Sequence, residues 1–263
     1  MTEPTAGERP GRRIAIVTGA TRRGGIGAAI CRALARSGID LFFSYFRPYD
    51  RSHYEEVDSS DPQRLLEEIE RLGVRCASAE IDLSKPQGPC ELFDAVQAAL
   101  GRPVVLVNNA AYSTQSSIAS IDASVLDRHY EVNLRAPLLL AALFAQGLRS
   151  GDEGRIVSIT SGQSLGPMPQ ELAYAVTKAS LETMTTTLAS ELAKVGATVN
   201  AVNPGPTDSG WISADLRREL EGRFPSGRIG TPEDAARLVA FLVSPEARWI
   251  TGQIIHSEGG FVR

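Results

Sequence analysis

The chain has 263 residues, a formal net charge of −4, 43% apolar residues and 22% charged residues. That size and apolar share support a sizeable core in one large α/β domain or two small ones. The acidic balance argues against general binding to nucleic acid or to an anionic membrane.

The longest strictly apolar run, residues 138–145, is far short of a membrane span. The N-terminal stretch has no apolar core of a secretory signal. Cys31, Cys76 and Cys90 fit neither a disulfide framework nor a CxxC site, and His53, His129 and His256 lack metal-ligand spacing. A reduced, cytoplasmic, metal-free protein is expected.

Residues 1–12, polar and rich in proline and glycine, read as a loose tail, with a single domain over 13–263. From Ile14 short apolar runs alternate with helical patterns. Residues 14–17 read as a buried strand ending in a glycine-rich turn, and Ile26, Ile30 and Leu34 mark a helix closed by Gly38. Residues 41–43 form the second strand. Asp61-Pro62 predicts a helix with the acid as N-cap and proline in the first turn; its stripe is Leu65, Leu66, Ile69 and Leu72.

The third strand is expected over 74–81, a helix over 90–100 and a fourth strand over 104–107, running into Asn108-Asn109-Ala110. One long helix is expected from about 122 to 148. The fifth strand, 155–160, leads to Ser161, and a helix carrying Tyr174 extends to Gly196. A sixth strand over 198–202, a capped helix from Thr231 and a last strand over 253–256 complete the chain. Strands separated by helices of this length predict a Rossmann-type, doubly wound α/β fold, with a mainly parallel sheet of about seven strands and helices on both faces.

Two stretches carry chemistry. Residues 18–27, Thr-Gly-Ala-Thr-Arg-Arg-Gly-Gly-Ile-Gly, lie directly after a strand and directly before a helix. There glycines let the backbone approach a pyrophosphate, and a helix N-terminus offers free N–H groups. In the second stretch Tyr174 and Lys178 are four apart on a helix and so share a face, with Ser161 thirteen residues before the tyrosine. A nearby ammonium favours the phenolate and brings the phenol toward acid–base work, and a serine hydroxyl can hold a carbonyl oxygen. On its own the pair also fits a core-edge tyrosine with a solvated lysine.

Thr18-Gly19, Gly25-Ile26-Gly27, Asp82, Asn108-Asn109-Ala110, Asn133, Ser161, Tyr174-x-x-x-Lys178 and Pro204-Gly205 occur in the order found in short-chain dehydrogenase/reductases. The chain resembles that family over residues 13–260, closest to the branch that includes 3-oxoacyl-[acyl-carrier-protein] reductases. The resemblance implies Tyr174 as general acid, Ser161 positioning the carbonyl oxygen, and Lys178 lowering the phenol's pKa and holding the nicotinamide ribose. It implies that Asn133 supports a water relaying protons to the lysine. The cofactor contacts it implies are the loop Gly19, Thr21, Gly25, Ile26 and Gly27, then Asp82 and Leu83 at the adenine. They continue with Asn108, Asn109 and Ala110 near the ribose, and with Pro204, Gly205 and Thr207 at the carboxamide. It also implies a homotetramer, with a dimer as the smaller form.

Departures from the family pattern are a glycine-rich loop two residues longer, Ala111 in place of glycine, and a polar insertion at about 47–60. The second strand ends without an acid until Asp50, so Ser44 with Arg22, Arg23 and Arg47 is expected to favour NADPH over NADH through the 2′-phosphate. Asp50 folding back toward the ribose is the alternative. Residues 206–228, amphipathic through Trp211, Ile212, Leu216, Leu220 and Phe224, are expected to form short helices closing over a partly apolar substrate, with Met168 and Gln170 facing the pocket. Arg128, Arg135 and Arg149 fit either a docked acidic carrier protein or a solvated face. The expected activity is reduction of a ketone or aldehyde, 3-oxoacyl or similar, free or carried on a protein. The rivals are an alcohol, sugar or steroid dehydrogenase working oxidatively and a non-catalytic NADP-binding sensor.

Overall fold

The computed structural model describes residues 12–54, 58–149 and 151–263. The expected N-terminal tail, apart from Arg12, lies outside the described residues. Among those described, seven strands form one sheet: β1 (Ile14–Val17), β2 (Asp40–Tyr45), β3 (Cys76–Glu80), β4 (Val105–Asn108), β5 (Arg155–Ile159), β6 (Thr198–Asn203) and β7 (Ile254–His256). Their spatial order is β3-β2-β1-β4-β5-β6-β7, and every pairing is parallel.

The helices between them are α1 (Ile26–Arg36), α2 (Arg47–His53), α3 (Asp61–Glu70), α4 (Gly88–Ala99), α5 (Ala123–Tyr130), α6 (Ala136–Gly147), α7 (Leu172–Leu192), α8 (Ala214–Glu221) and α9 (Pro232–Val243). A parallel sheet sandwiched by helices buries both faces of its inner strands, so those strands read as unbroken apolar runs. All residues of β1, β4, β5 and β6 are buried, whereas the edge strands β3 and β7 stay partly exposed.

Alternation along the strands divides the core in two. Ala15, Val17, Leu41, Phe43 and Val107 pack with Ile30 and Leu34 of α1 and Val239 and Leu242 of α9. Ile14, Ile16, Phe42, Leu106 and Ile156 pack with α4, α6 and α7 through Leu92, Leu140, Phe144 and Leu192. Each such side chain contributes about 1.5–3 kcal/mol by leaving water.

Three expectations are corrected, and the polar insertion gains a conformation. Ser60, not Asp61, holds the N-cap position of α3; Asp61 is the first helical residue, and its Oδ2 instead accepts the Arg23 N–H at 3.1 Å. The long helix expected over 122–148 is two helices joined by a wide π turn at Glu131–Arg135. Pro137 supplies the reason: it has no N–H for the carbonyl four residues earlier, that of Asn133, so the helix widens just before it. The polar stretch after β2 holds a helix, α2, opened by Pro48 near its start. Between 206 and 228 one helix, α8, stands among the described residues where several short ones were expected.

Candidate active site

The carboxyl ends of the strands open into one cavity of about 1330 Å³. Ligands of open α/β sheets bind at this edge, where strand order reverses; here that is between β1 and β4.

At the floor, Thr18 clasps the two strands. Its Oγ1 accepts the N–H groups of Asn109 and Ala110, each at 3.0 Å. Gly19 follows at φ +72°, and a Cβ there would stand 2.6 Å from the Ala110 Cα, so both the conformation and the space require glycine. A Cβ on Gly27 would meet the Asn109 Nδ2 at 2.7 Å. α1 begins at Gly25 with no side-chain cap and no acid in its first turn. Its opening N–H groups and positive dipole end therefore remain available to an anion. This backbone-lined, uncapped cradle fits a pyrophosphate.

The expected cofactor contacts mostly fall on this cavity. Gly19, Thr21, Arg22, Gly25, Ile26 and Gly27 line it, as do Ser44, Asp82, Leu83, Asn109 and Ala110. Pro204, Gly205 and Thr207 lie across from them; Thr207 is buried, its hydroxyl within 3.2 Å of the Pro204 and Gly205 carbonyls. Asn108 is not in the wall. It is buried inside β4, and its Nδ2 donates to Ser158 Oγ at 3.3 Å.

The three arginines expected at a 2′-phosphate separate. Arg22 stays in the wall: its Nε donates to Asp50 Oδ1 at 3.1 Å, its NH1 to the Ser209 carbonyl at 2.5 Å, and its guanidinium lies 3.6 Å over the Tyr54 ring. Arg23 points away to Glu68, at 3.2 Å, and does not line the cavity. Arg47 pairs with Glu80 through Nε at 3.0 Å. Asp50 does fold back, toward Arg22; burial raises its pKa, and bonds from Thr21 and Arg22 pull it down.

Ser161, Tyr174 and Lys178 all line the same cavity. Ser161 follows β5 and caps a short 3₁₀ turn, its Oγ accepting from the Gln163 N–H at 3.3 Å. Lys178 is 2% exposed, and its Nζ donates to the Ile159 carbonyl at 2.5 Å and lies 5.9 Å from the Tyr174 ring centre. Burial lowers its pKa to about 8. The Tyr174 phenol is pushed up, first by burial and then by the neighbouring Tyr49 and Glu171, so the expected lowering is absent in this arrangement. The cause is that the ammonium is turned onto a backbone carbonyl while the phenol loses solvent.

Asn133 lies outside the cavity wall. Its Oδ1 accepts from the Tyr112 N–H at 2.8 Å, and its Nδ2 donates to the Tyr112 carbonyl at 2.8 Å and to Thr177 Oγ1 at 3.1 Å. It thus ties the segment after β4 to α7. In the substrate half, Met168, Trp211, Leu216 and Leu220 line the cavity, whereas Gln170, Ile212 and Phe224 do not. Phe224 instead packs with Leu220 and Ile229. Of the three arginines weighed for carrier docking, Arg128 lines the cavity and Arg135 is taken up by the Ser84 carbonyl and Glu131.

The site also holds residues that sequence reasoning missed. Tyr49 and His53 come from α2, Tyr112 and Ser113 from the segment after β4, and Phe261 and Arg263 from the end of the chain. The i, i+4 spacing of Tyr49 and His53 was the available signal for α2; nothing local marks Arg263.

A family model described as enoyl-(acyl carrier protein) reductase matches residues 19–262. YjdA of Bacillus subtilis (strain 168), described as an uncharacterized oxidoreductase, is 50% identical over 253 residues, covering 95% of this chain and 97% of its own. The promiscuous reductase LugOII, which catalyses keto-reduction at C1 during lugdunomycin biosynthesis, superposes with a TM-score of 0.84 at 32% identity, covering 96% of this chain and 98% of its own. A short chain dehydrogenase from Burkholderia cenocepacia J2315, solved in complex with NADP, gives 0.82 at 34% identity, covering 95% and 97%.

Proposed function

The chain belongs to the short-chain dehydrogenase/reductase family of oxidoreductases, and from that membership we propose that it is an NADPH-dependent reductase of ketones or aldehydes, 3-oxoacyl or similar, with Tyr174 as the proton donor. The observation that carries this reading is the convergence of Ser161, Tyr174 and Lys178 on the cavity whose floor is the uncapped glycine-rich cradle.

The cradle would hold the pyrophosphate, Asp82 and Leu83 the adenine, Asn109 and Ala110 the ribose, and Thr207 the carboxamide. The chemistry that the reduced nicotinamide supplies when bound is a hydride for the carbonyl carbon. Ser161 Oγ, one of whose two lone pairs accepts the Gln163 N–H, is free to donate its proton to the carbonyl oxygen and fix its position. Tyr174 gives its phenolic proton to that oxygen as negative charge develops there. Lys178 carries the charge that favours the phenolate left behind. Asn133, in the π turn just before Pro137, would support a water that relays a proton toward Lys178.

The reading is tested by following NADPH oxidation with a panel of ketones and aldehydes. Turnover of at least one of them by the wild type, and none by Tyr174→Phe, is expected; a wild type that binds NADPH and oxidises it with none of them is a sensor instead.

NADPH preference now rests on Arg22 with Ser44. Arg22 exchanges Asp50 for the 2′-phosphate, while Arg23 and Arg47 keep their acids. A charged contact of this kind is worth about 1.5–3 kcal/mol, roughly ten- to a hundredfold in affinity. Arg22→Ala should lose most of the preference for NADPH over NADH in a binding titration, and Arg23→Ala should keep it. A wild type that binds NADH as tightly as NADPH overturns the assignment.

A homo-oligomer is part of the same reading. Leu138 and Leu139 of α6 and Val176 of α7 are 41%, 40% and 61% exposed, on the helices the family uses to associate.

A further inference from the structure

The helix α2, inside the insertion after β2, brings side chains into the cavity that the mechanism above does not use. Tyr49 stacks on His53 with ring centres 4.1 Å apart and 26° between the planes. Tyr112 meets Tyr49 at 5.6 Å and His53 at 5.9 Å, and its far edge rests on His129 at 5.0 Å. Tyr49, His53 and Tyr112 all line the cavity.

This wall is held from behind. The His53 ring is fixed by its Nδ1 at 2.8 Å from the Tyr49 carbonyl. The backbone of Tyr112 is clasped on both sides by Asn133. His129, fully buried, has both ring nitrogens engaged, with the Val125 carbonyl at 2.8 Å and the Thr114 N–H at 3.3 Å. Tyr112 is thus held from behind, and with Tyr49 and the exposed His53 it gives the cavity an angled wall of ring faces and edges.

Tyr49 adds a polar handle. Its hydroxyl oxygen accepts the Ser113 N–H at 3.2 Å. That bond occupies a lone pair and leaves the phenolic proton without an acceptor among the described residues. Tyr49 and Tyr174 line the same cavity. The cavity therefore offers a ring surface and a second hydroxyl donor on the same side chain.

We propose that Tyr49 is a substrate-positioning residue and that the site takes flat aryl ketones, with the aromatic ring against the Tyr49–His53–Tyr112 wall and a substrate oxygen accepting the Tyr49 hydroxyl proton. The ketone part of the assignment rests on the reductase reading; the ring part rests on the wall. Offset or edge-on ring contacts of this geometry add to what area burial alone provides, enough for about a tenfold preference over an alkyl chain of similar size.

The experiment compares 2-acetylnaphthalene with 2-octanone in wild type, Tyr49→Phe and Tyr49→Ala. It records kcat and KM, ketone binding by saturation-transfer NMR, NADPH affinity and thermal unfolding. Wild type should favour the naphthyl ketone about tenfold in kcat/KM. Tyr49→Ala should bring the ratio near one, mainly through KM for the naphthyl ketone. Tyr49→Phe, which keeps the ring, should hold the preference while KM for both ketones rises a few-fold.

A residue that only pins α2 would lower activity on both ketones alike in Tyr49→Ala, and an unchanged ratio there overturns the proposal. So does a wild type that prefers 2-octanone. If wild type turns over neither ketone, the reductase reading is decided by the carbonyl panel and the NMR signals decide the wall by themselves. A naphthyl signal present in wild type and lost in Tyr49→Ala supports it, and equal signals, or none in wild type, refute it.

Discussion

Tyr174 and Lys178 show how burial and charge compete over one pair of side chains. Adjacent ammonium and phenol groups should favour each other's charged forms, yet here the phenol is pushed up and the ammonium down to about 8, each chiefly by loss of solvent. The lysine consequence can be measured. An unfolded lysine titrates near ~10.4, so between about pH 8 and 10 the unfolded chain holds a proton that the folded one has released. Stability therefore rises with pH across that window, by on the order of 3 kcal/mol if the whole shift is realised. Above pH ~10 the raised Tyr174 phenol opposes the gain, since there the folded state binds the extra proton. Denaturant unfolding of wild type and Lys178→Met from pH 7 to 10 should show the wild type gaining on the variant; parallel curves would refute the shift. For the reaction itself, Tyr174→Phe should bind cofactor and fold nearly as wild type. Its turnover should fall by about two to four orders of magnitude, and near-normal saturated turnover would place the proton donor elsewhere.

The elements around the site are held by a few side chains at their joints. Asn133 sits in the π turn between α5 and α6 and reaches both the Tyr112 backbone and Thr177 on α7. Asn133→Ala would strand the part-buried N–H and carbonyl of Tyr112, each unmet group costing at most about 1–3 kcal/mol. The expected result is a loss of about 2–4 kcal/mol in chemical denaturation, with faster hydrogen exchange at the Tyr112 amide than at those of β4. A loss below 1 kcal/mol, or unchanged exchange at Tyr112, would mean that water replaces the clasp. α2 has a different joint. Arg22 grips it through Asp50 and Tyr54 and also holds the Ser209 carbonyl in the loop after β6. One arginine thus links the glycine-rich loop, the insertion and the substrate loop.

At the scale of the whole molecule the sheet sets the geometry, and the outer helices leave apolar side chains in solvent. Leu140 and Phe144 of α6 are consumed by the core, but Leu138, Leu139 and Val176 remain in solvent. Isolated apolar side chains on a surface are ordinary, while several on neighbouring helices mark an association face. Light scattering at micromolar concentration should give the mass of a tetramer, or of a dimer at the least. A monomer mass would show that the α6–α7 face stays wet. No helix among the described residues is long and apolar enough to cross a membrane.

Sequence by itself determined the sheet and the order of its parts. Inner strands buried on both faces must be unbroken apolar runs, and helices covering them must repeat every three to four residues, so both patterns are local. The Thr18–Gly27 loop was legible from its place between a strand and a helix, whereas Ser161, Tyr174 and Lys178 became legible only through the ordered set of motifs along the chain, since their spacing alone also fits a core-edge tyrosine. Tertiary structure alone decided which of Arg22, Arg23 and Arg47 stays in the cavity, since their acids, Asp50, Glu68 and Glu80, lie 28, 45 and 33 residues away in the chain. It also decided the direction of the Tyr174 and Lys178 shifts, which depend on how much solvent the fold removes. The aromatic wall is the clearest case: Tyr49, Tyr112 and His129 are far apart in sequence and become one surface only when α2 folds over the strand ends, because burial and ring contact are properties of space and not of spacing.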